Sequence, residues 1–208
     1  MYVLTCLAGL LAALAFRIWQ ALPTQVAKIR SPRQCCKLCV FLGPGGHTAE
    51  MLQLLKALDP SRYTPRVYLV TSDDHLCEYK AEWFEHDLPG EHRVYKIPRA
   101  RKLGQSWPSV FATTIAGFIV ATRYIFEIMP DLILLNGPGT CIPICMAAYI
   151  VRILGIKRTQ IIYVESFARV ETLSLTGKIL YHFADKFLVQ WPELAAKFPR
   201  ADYKGILV

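Results

Sequence analysis

Residues 35–52 read CCKLCVFLGPGGHTAEML: a short apolar run, a glycine turn, then a helical pattern. Strand, tight loop and helix in that order form the unit from which parallel α/β sheets are built. Gly43, Gly45 and Gly46 can take up backbone angles closed to other residues, so their N–H groups can converge on a phosphate at the helix N-terminus. Thr48 opens the helix beside them. His47 stands where an imidazole either donates to that phosphate or takes a proton next to it. A dinucleotide fingerprint would need a third glycine where Thr48 stands, and a P-loop would end in Gly-Lys-Ser/Thr, so the turn matches neither common nucleotide motif.

Outward from this stretch, apolar runs of strand length alternate with longer helical patterns, which predicts a doubly wound, mostly parallel, Rossmann-like α/β sheet. Strands are expected at 36–42, 66–70, 93–96, 131–135, 160–164 and 186–189, with 205–208 starting a seventh. Helices are expected at 48–58, 74–86, 108–129, 141–154, 173–183 and 192–198. Residues 110–120 are apolar almost all round, which fits either a buried crossover helix or one lying against a bilayer.

The N-terminal 22 residues have a different character. Residues 3–16 carry no charge, and Arg17 is followed by further apolar positions, so a transmembrane anchor at 1–22 is expected, with Arg17 snorkelling. A cleaved signal peptide is the rival reading, but the basic segment that should precede it is missing. Lys28, Arg30 and Arg33 fall in a basic linker, 23–34, and their excess after the anchor places the domain at 35–208 in the cytosol. The net charge of +8 is densest at Arg99, Arg101 and Lys102. Anionic headgroups explain it more simply than nucleic acid, because the chain has no aromatic-basic RNA motif and no helix-turn-helix pattern. Seven cysteines, an odd number, fit a reducing compartment. Cys35, Cys36 and Cys39 resemble half a zinc site without a second half, so buried strand thiols are expected, and no bound metal or cofactor.

A second glycine turn follows a second strand at Asn136, Gly137, Pro138, Gly139 and Thr140. In doubly wound folds ligands sit beyond the carboxyl ends of the strands, so both turns should face one crevice and its ligand. Asn136 and Thr140 either bond that ligand or cap their own turn. Glu165 ends the fifth strand and forms with His47 the expected acid/base pair. Gln190, Trp191 and Pro192 end the sixth. An apolar C-terminus at Ile206, Leu207 and Val208 predicts burial in a closing strand or against a partner.

These motifs together, GPGGHT at 43–48, NGPGT at 136–140, YVES at 163–166 and VQWP at 189–192, resemble the membrane-anchoring subunits of the two-subunit UDP-GlcNAc transferases of dolichol-linked oligosaccharide assembly. Such subunits are similar to the N-terminal half of a GT-B glycosyltransferase, as in the bacterial enzyme that makes lipid II. The resemblance implies a single Rossmann-like half that presents the lipid-diphosphate acceptor at the cytosolic face of the endoplasmic reticulum. A separate cytosolic subunit would bind UDP-GlcNAc and complete the enzyme. The product would be the chitobiosyl lipid, made without a bound metal. Gly43, Gly45, Gly46, Thr48, Asn136, Gly137, Gly139 and Thr140 would hold the acceptor diphosphate, and Ile206 to Val208 would meet the partner. The lipid II enzyme has a longer Gly-Gly-Thr-Gly-Gly-His loop than this chain, so its loop contacts do not transfer one to one. A self-sufficient membrane-bound transferase and a tether with an inactive cleft are the competing readings.

Overall fold

A computed structural model describes residues 2–23, 34–100 and 107–207. The expectations for Lys28, Arg30, Arg33, Arg101, Lys102 and Val208 lie outside the described residues. The elements run α1 (Tyr2–Ala21), β1 (Leu38–Leu42), α2 (Gly46–Lys56), β2 (Arg66–Thr71), α3 (His75–Glu85), β3 (His92–Ile97) and α4 (Trp107–Ile128). They continue with β4 (Leu132–Asn136), α5 (Cys141–Ile153), β5 (Gln160–Val164), α6 (Leu175–Leu180), β6 (Lys186–Val189), α7 (Pro192–Lys197) and β7 (Ala201–Tyr203). The closing strand therefore lies a few residues before the expected 205–208.

All strand pairs are parallel, in the order β3-β2-β1-β4-β5-β6-β7. A parallel sheet covered on both faces needs strands apolar on both sides, and every residue of β1 and β4 is buried. Alternate strand residues divide between two cores. Cys39, Phe41, Ile133, Leu135 and Tyr163 pack under α4, α5 and α6. Leu38, Val40, Leu42, Tyr68 and Leu134 pack under α2 and α3. Cys36 and Cys39 are buried, and burial pushes the Cys39 thiol up to about 12, so it stays a protonated, apolar filler.

The chain order reverses between β1 and β4. This is the topological switch point, where the loops leaving neighbouring strands diverge to opposite faces and open a crevice. The crossover from β3 to β4 is made by α4, whose Gly117, Ala121, Ile125 and Ile128 recur at helical spacing on the inner face. Its outer face leaves Phe111 and Ile119 largely exposed. Segment 110–120 is thus a crossover helix covered on one side only. Among the described residues, Ser109–Ile128 is the helix long and apolar enough to cross a membrane, and Thr5–Ala21 is a shorter apolar helix.

Arginines hold the end of α1 to the body, because the last carbonyls of a helix have no intrahelical donor. Buried Arg152 donates to Ala21 O (3.1 Å) and Thr159 O (2.9 Å from Nε), and pairs with Asp185. Arg158 donates to Gln20 O (2.8 Å) and Leu22 O (3.1 Å) from an exposed position. Arg17 returns a bond to Ile153 O (2.9 Å). Arg152→Ala strands a nearly buried Asp185 and should cost about 3 kcal/mol in chemical denaturation of the detergent-solubilised chain. Arg158→Ala should cost less than about 1 kcal/mol. Equal losses in the two variants would contradict the burial argument.

Candidate functional site: two interlocked glycine loops

Because β1 and β4 are parallel neighbours, the loops that leave them emerge side by side. Gly45 has φ +70° and caps α2 without a side-chain bond, and Gly137 has φ +82° in the second loop. Both angles favour glycine. The loops also interlock. A Cβ on Gly137 would collide with His47 Nδ1, and one on Gly43 would lie 2.7 Å from Pro138 Cγ. Cβ positions on Gly45, Gly46 and Gly139 meet no neighbouring atom. Glycine at Gly43 and Gly137 is therefore demanded by the protein itself. At Gly46 and Gly139 the space is open.

Thr48 is buried and turned inward, with Oγ1 donating to Gly43 O at 2.6 Å and lying 2.8 Å from Cys77 Sγ. It closes the first loop on itself. Thr140 is likewise buried, and its Oγ1 accepts from Ala100 N at 3.3 Å. The N-termini of α2 and α5 carry no side-chain cap, so first-turn N–H groups are left without a side-chain acceptor at the crevice.

His47 meets Asn136: Nδ1 and Oδ1 are 2.8 Å apart, and Asn136 is fully buried. Asn136 Nδ2 donates to Glu50 Oε2 (2.9 Å), and Ser166 Oγ donates to Glu50 Oε1 (2.9 Å). His47, Asn136, Glu50 and Ser166 thus form one connected set from two strand ends and α2. Glu50 was not legible as part of the site from its residue type alone. Its position three residues after His47, on one face of α2, was the available signal.

Glu165 makes its hydrogen bonds away from His47. Its side chain is fully buried and accepts from Ser166 N (3.1 Å), Ser174 N (3.0 Å) and Ser174 Oγ (3.1 Å). A Cβ on Gly177 would collide with its carboxylate, so α6 packs directly on it. Glu165 organises the loop that presents Ser166, and reaches Glu50 only through Ser166. Gln190, also buried, donates to Glu165 O (3.2 Å) and accepts from Leu207 N (3.3 Å), tying the C-terminal segment to the same edge. Trp191 sits half-buried on the rim, donating to Phe167 O (2.7 Å) with its ring 5.1 Å from that of Phe167. Ile206 is 59% exposed.

Desolvation raises the Glu165 pKa above the ordinary glutamate value, and the Ser174 and Ser166 hydrogen bonds oppose it in part. The native state therefore holds a proton that the unfolded chain has lost, over the window from about pH 4.5 to the raised value. Stability supplied by this group falls as pH rises through that window. Glu165→Gln should flatten the denaturation midpoint against pH above about 4.5, whereas an unchanged slope would assign the dependence to other groups.

Residues 38–207 match the family model described as "Oligosaccharide biosynthesis protein Alg14 like". The human UDP-N-acetylglucosamine transferase subunit ALG14 is 42% identical over 99% of this chain and 98% of its own length. The Schizosaccharomyces pombe subunit of the same name is 49% identical, over 82% of each chain. Among solved structures, Acinetobacter baumannii MurG superposes with a TM-score of 0.57 at 20% identity, over 81% of this chain and 45% of MurG. A Neisseria meningitidis UDP-GlcNAc 2-epimerase superposes with a TM-score of 0.54 at 12% identity. These two share the fold, and the chain spans less than half the length of either. With a family match across the whole sheet and relatives of equal length, this chain belongs to the Alg14-like family of oligosaccharide biosynthesis proteins.

Proposed function

We propose that this chain is the membrane-anchoring, acceptor-binding half of a split GT-B UDP-GlcNAc transferase, transferring GlcNAc to dolichyl-diphosphate-GlcNAc in the second step of N-glycan precursor assembly. The observation that carries the proposal is the open space over Gly46 and Gly139, beside two uncapped helix N-termini and next to His47. It is shaped for the diphosphate of the acceptor, with Gly45 and Gly137 setting the loop conformations. In the reaction the acceptor hydroxyl attacks the sugar C1, the bond from C1 to UDP breaks, and His47 takes the hydroxyl proton as general base. Glu165 acts on the site through Ser166.

Membrane anchoring is assigned to 1–22, with 23–34 as linker and 35–208 as the cytosolic domain at the endoplasmic reticulum. At about 1.5 Å per residue, a helix of the length of α1 matches the hydrocarbon thickness of a bilayer. Leu7, Leu10, Leu11 and Leu14 are exposed along it, whereas α4 is held on the sheet by its inner face. An apolar groove of about 460 Å³ between α1, α4, α5 and α6, lined by residues such as Ile18, Ile142 and Met146, supports a lipid-facing side. The relatives are named as subunits, and the chain covers 45% of MurG, which supports a separate cytosolic partner carrying the other GT-B half and most of the UDP-GlcNAc contacts. The exposed Ile206, with Leu207 and Val208, is assigned to that partner's interface.

Purified chain, partner subunit, UDP-GlcNAc and a polyprenyl-diphosphate-GlcNAc acceptor test this directly. Turnover is expected only with both proteins present, and turnover by this chain alone would overturn the split-enzyme reading. Gly46→Ala fills open space without straining φ, so the chain should melt at the same temperature or higher. The assembled complex should nevertheless lose about 10-fold or more in activity, because the diphosphate can no longer approach the backbone. Full activity in that variant would remove the diphosphate from this loop.

A further inference from the structure

We infer that Glu50 is a positioning residue that fixes the His47 tautomer, holding the proton on Nδ1 and leaving Nε2 as the basic nitrogen that faces the crevice. The inference rests on the proposed role of His47 as general base, and it reaches a carboxylate that this role does not itself require.

The argument follows the donors and acceptors in order. An ionised carboxylate only accepts, so Asn136 must turn its amide nitrogen toward Glu50, as the 2.9 Å contact from Nδ2 to Oε2 has it. The amide is planar and its two ends are opposite in character. Its Oδ1 therefore faces His47 Nδ1 at 2.8 Å, and an acceptor there demands that Nδ1 carry the hydrogen. Neutral imidazole bears one N–H, so the lone pair is left on Nε2. Among the described residues no hydrogen-bond partner is recorded for Nε2.

Two further contacts keep the set from turning over. Ser166 Oγ donates to Glu50 Oε1 at 2.9 Å, which orients the carboxylate, and Ser166 N is held in turn by Glu165 Oε1 at 3.1 Å. Asn136 is fully buried at the end of β4, where an amide rotated by half a turn would set its oxygen against the Glu50 carboxylate and its nitrogen against His47. The His47 ring lies against Gly137, where any side chain would collide with it, so the imidazole has one place to sit. When His47 takes the substrate proton on Nε2, the imidazolium that results still donates from Nδ1 to Asn136, and no hydrogen bond in the set needs to be broken.

The test uses the assembled transferase complex with ring-15N histidine in the anchored chain, which has five histidines, and assigns the His47 signal by its loss in His47→Gln. The neutral wild-type ring should show a protonated Nδ1 and a bare Nε2. Glu50→Ala should give a mixture of tautomers in a chain that still folds, melting a few degrees lower because buried Asn136 Nδ2 loses its acceptor. Its kcat should fall about 10-fold or more while KM for the polyprenyl-diphosphate-GlcNAc acceptor changes little. Glu50→Gln, whose carbonyl can accept from Asn136 and whose amide can donate to Ser166 Oγ, should keep the wild-type tautomer and most of kcat. A wild-type ring protonated on Nε2, or an unchanged tautomer in Glu50→Ala, overturns the inference. A shifted tautomer with undiminished kcat would instead leave the Glu50 assignment standing and overturn the general-base role of His47.

Discussion

The contact of the His47 ring with the bare backbone of Gly137 is the constraint on which the crevice depends. It exists because β1 and β4 are hydrogen-bonded neighbours that end at the same height, so the loop from one lies across the loop from the other. Each loop takes part in the interlock, Gly43 against Pro138 and His47 against Gly137, and neither contact survives a side chain at the glycine. The remaining features of the site follow from it. With the imidazole seated there, Asn136 is within reach of Nδ1, Glu50 comes under the Asn136 amide, and Ser166 reaches Glu50 from β5. Four residues spread over 120 positions of sequence are brought together by two adjacent strand ends and one helix.

The glycines divide into two kinds by what surrounds them. Gly43 and Gly137 make room for other parts of the protein, and Gly45 and Gly137 adopt angles that favour glycine. Gly46 and Gly139 satisfy no such demand, since nothing occupies the place of their missing side chains and neither has a positive φ. In a buried core such space would be a packing defect. At a sheet edge, beside two helix N-termini, it leaves the loop backbone open to the crevice.

The opposite edge of the domain is organised by charge. Arg152 and Arg158 reach the carbonyls at the end of α1, and Arg17 of α1 reaches back to Ile153. A helix whose apolar side chains are mostly exposed is thus joined to the body at one end by groups that satisfy its terminal carbonyls. Its direction relative to the sheet is set by those bonds and by its packing on α5.

How much of this could be read in advance depended on range. Local patterns carried the fold: β5 and β6 fall at the expected residues, the other strands differ by a few residues, and the glycine turns lie where strand gives way to helix. These features depend on backbone propensity and burial over a handful of neighbours, which the sequence itself encodes. The candidate site was legible only in part. The sequence by itself determined the sheet, the two glycine loops and the presence of His47 and Asn136 at their edges. It placed Glu165 at the same sheet edge as the acid/base partner of His47, because a charged residue at a strand end points toward the crevice on average. Only the tertiary structure decided the contacts, burying Glu165 under Gly177 and bringing Glu50 to Asn136. The pairing of residues 50 and 136 depends on which strands become neighbours and on how far α2 turns before it packs. Both are long-range outcomes of closing the core, and no local pattern contains them.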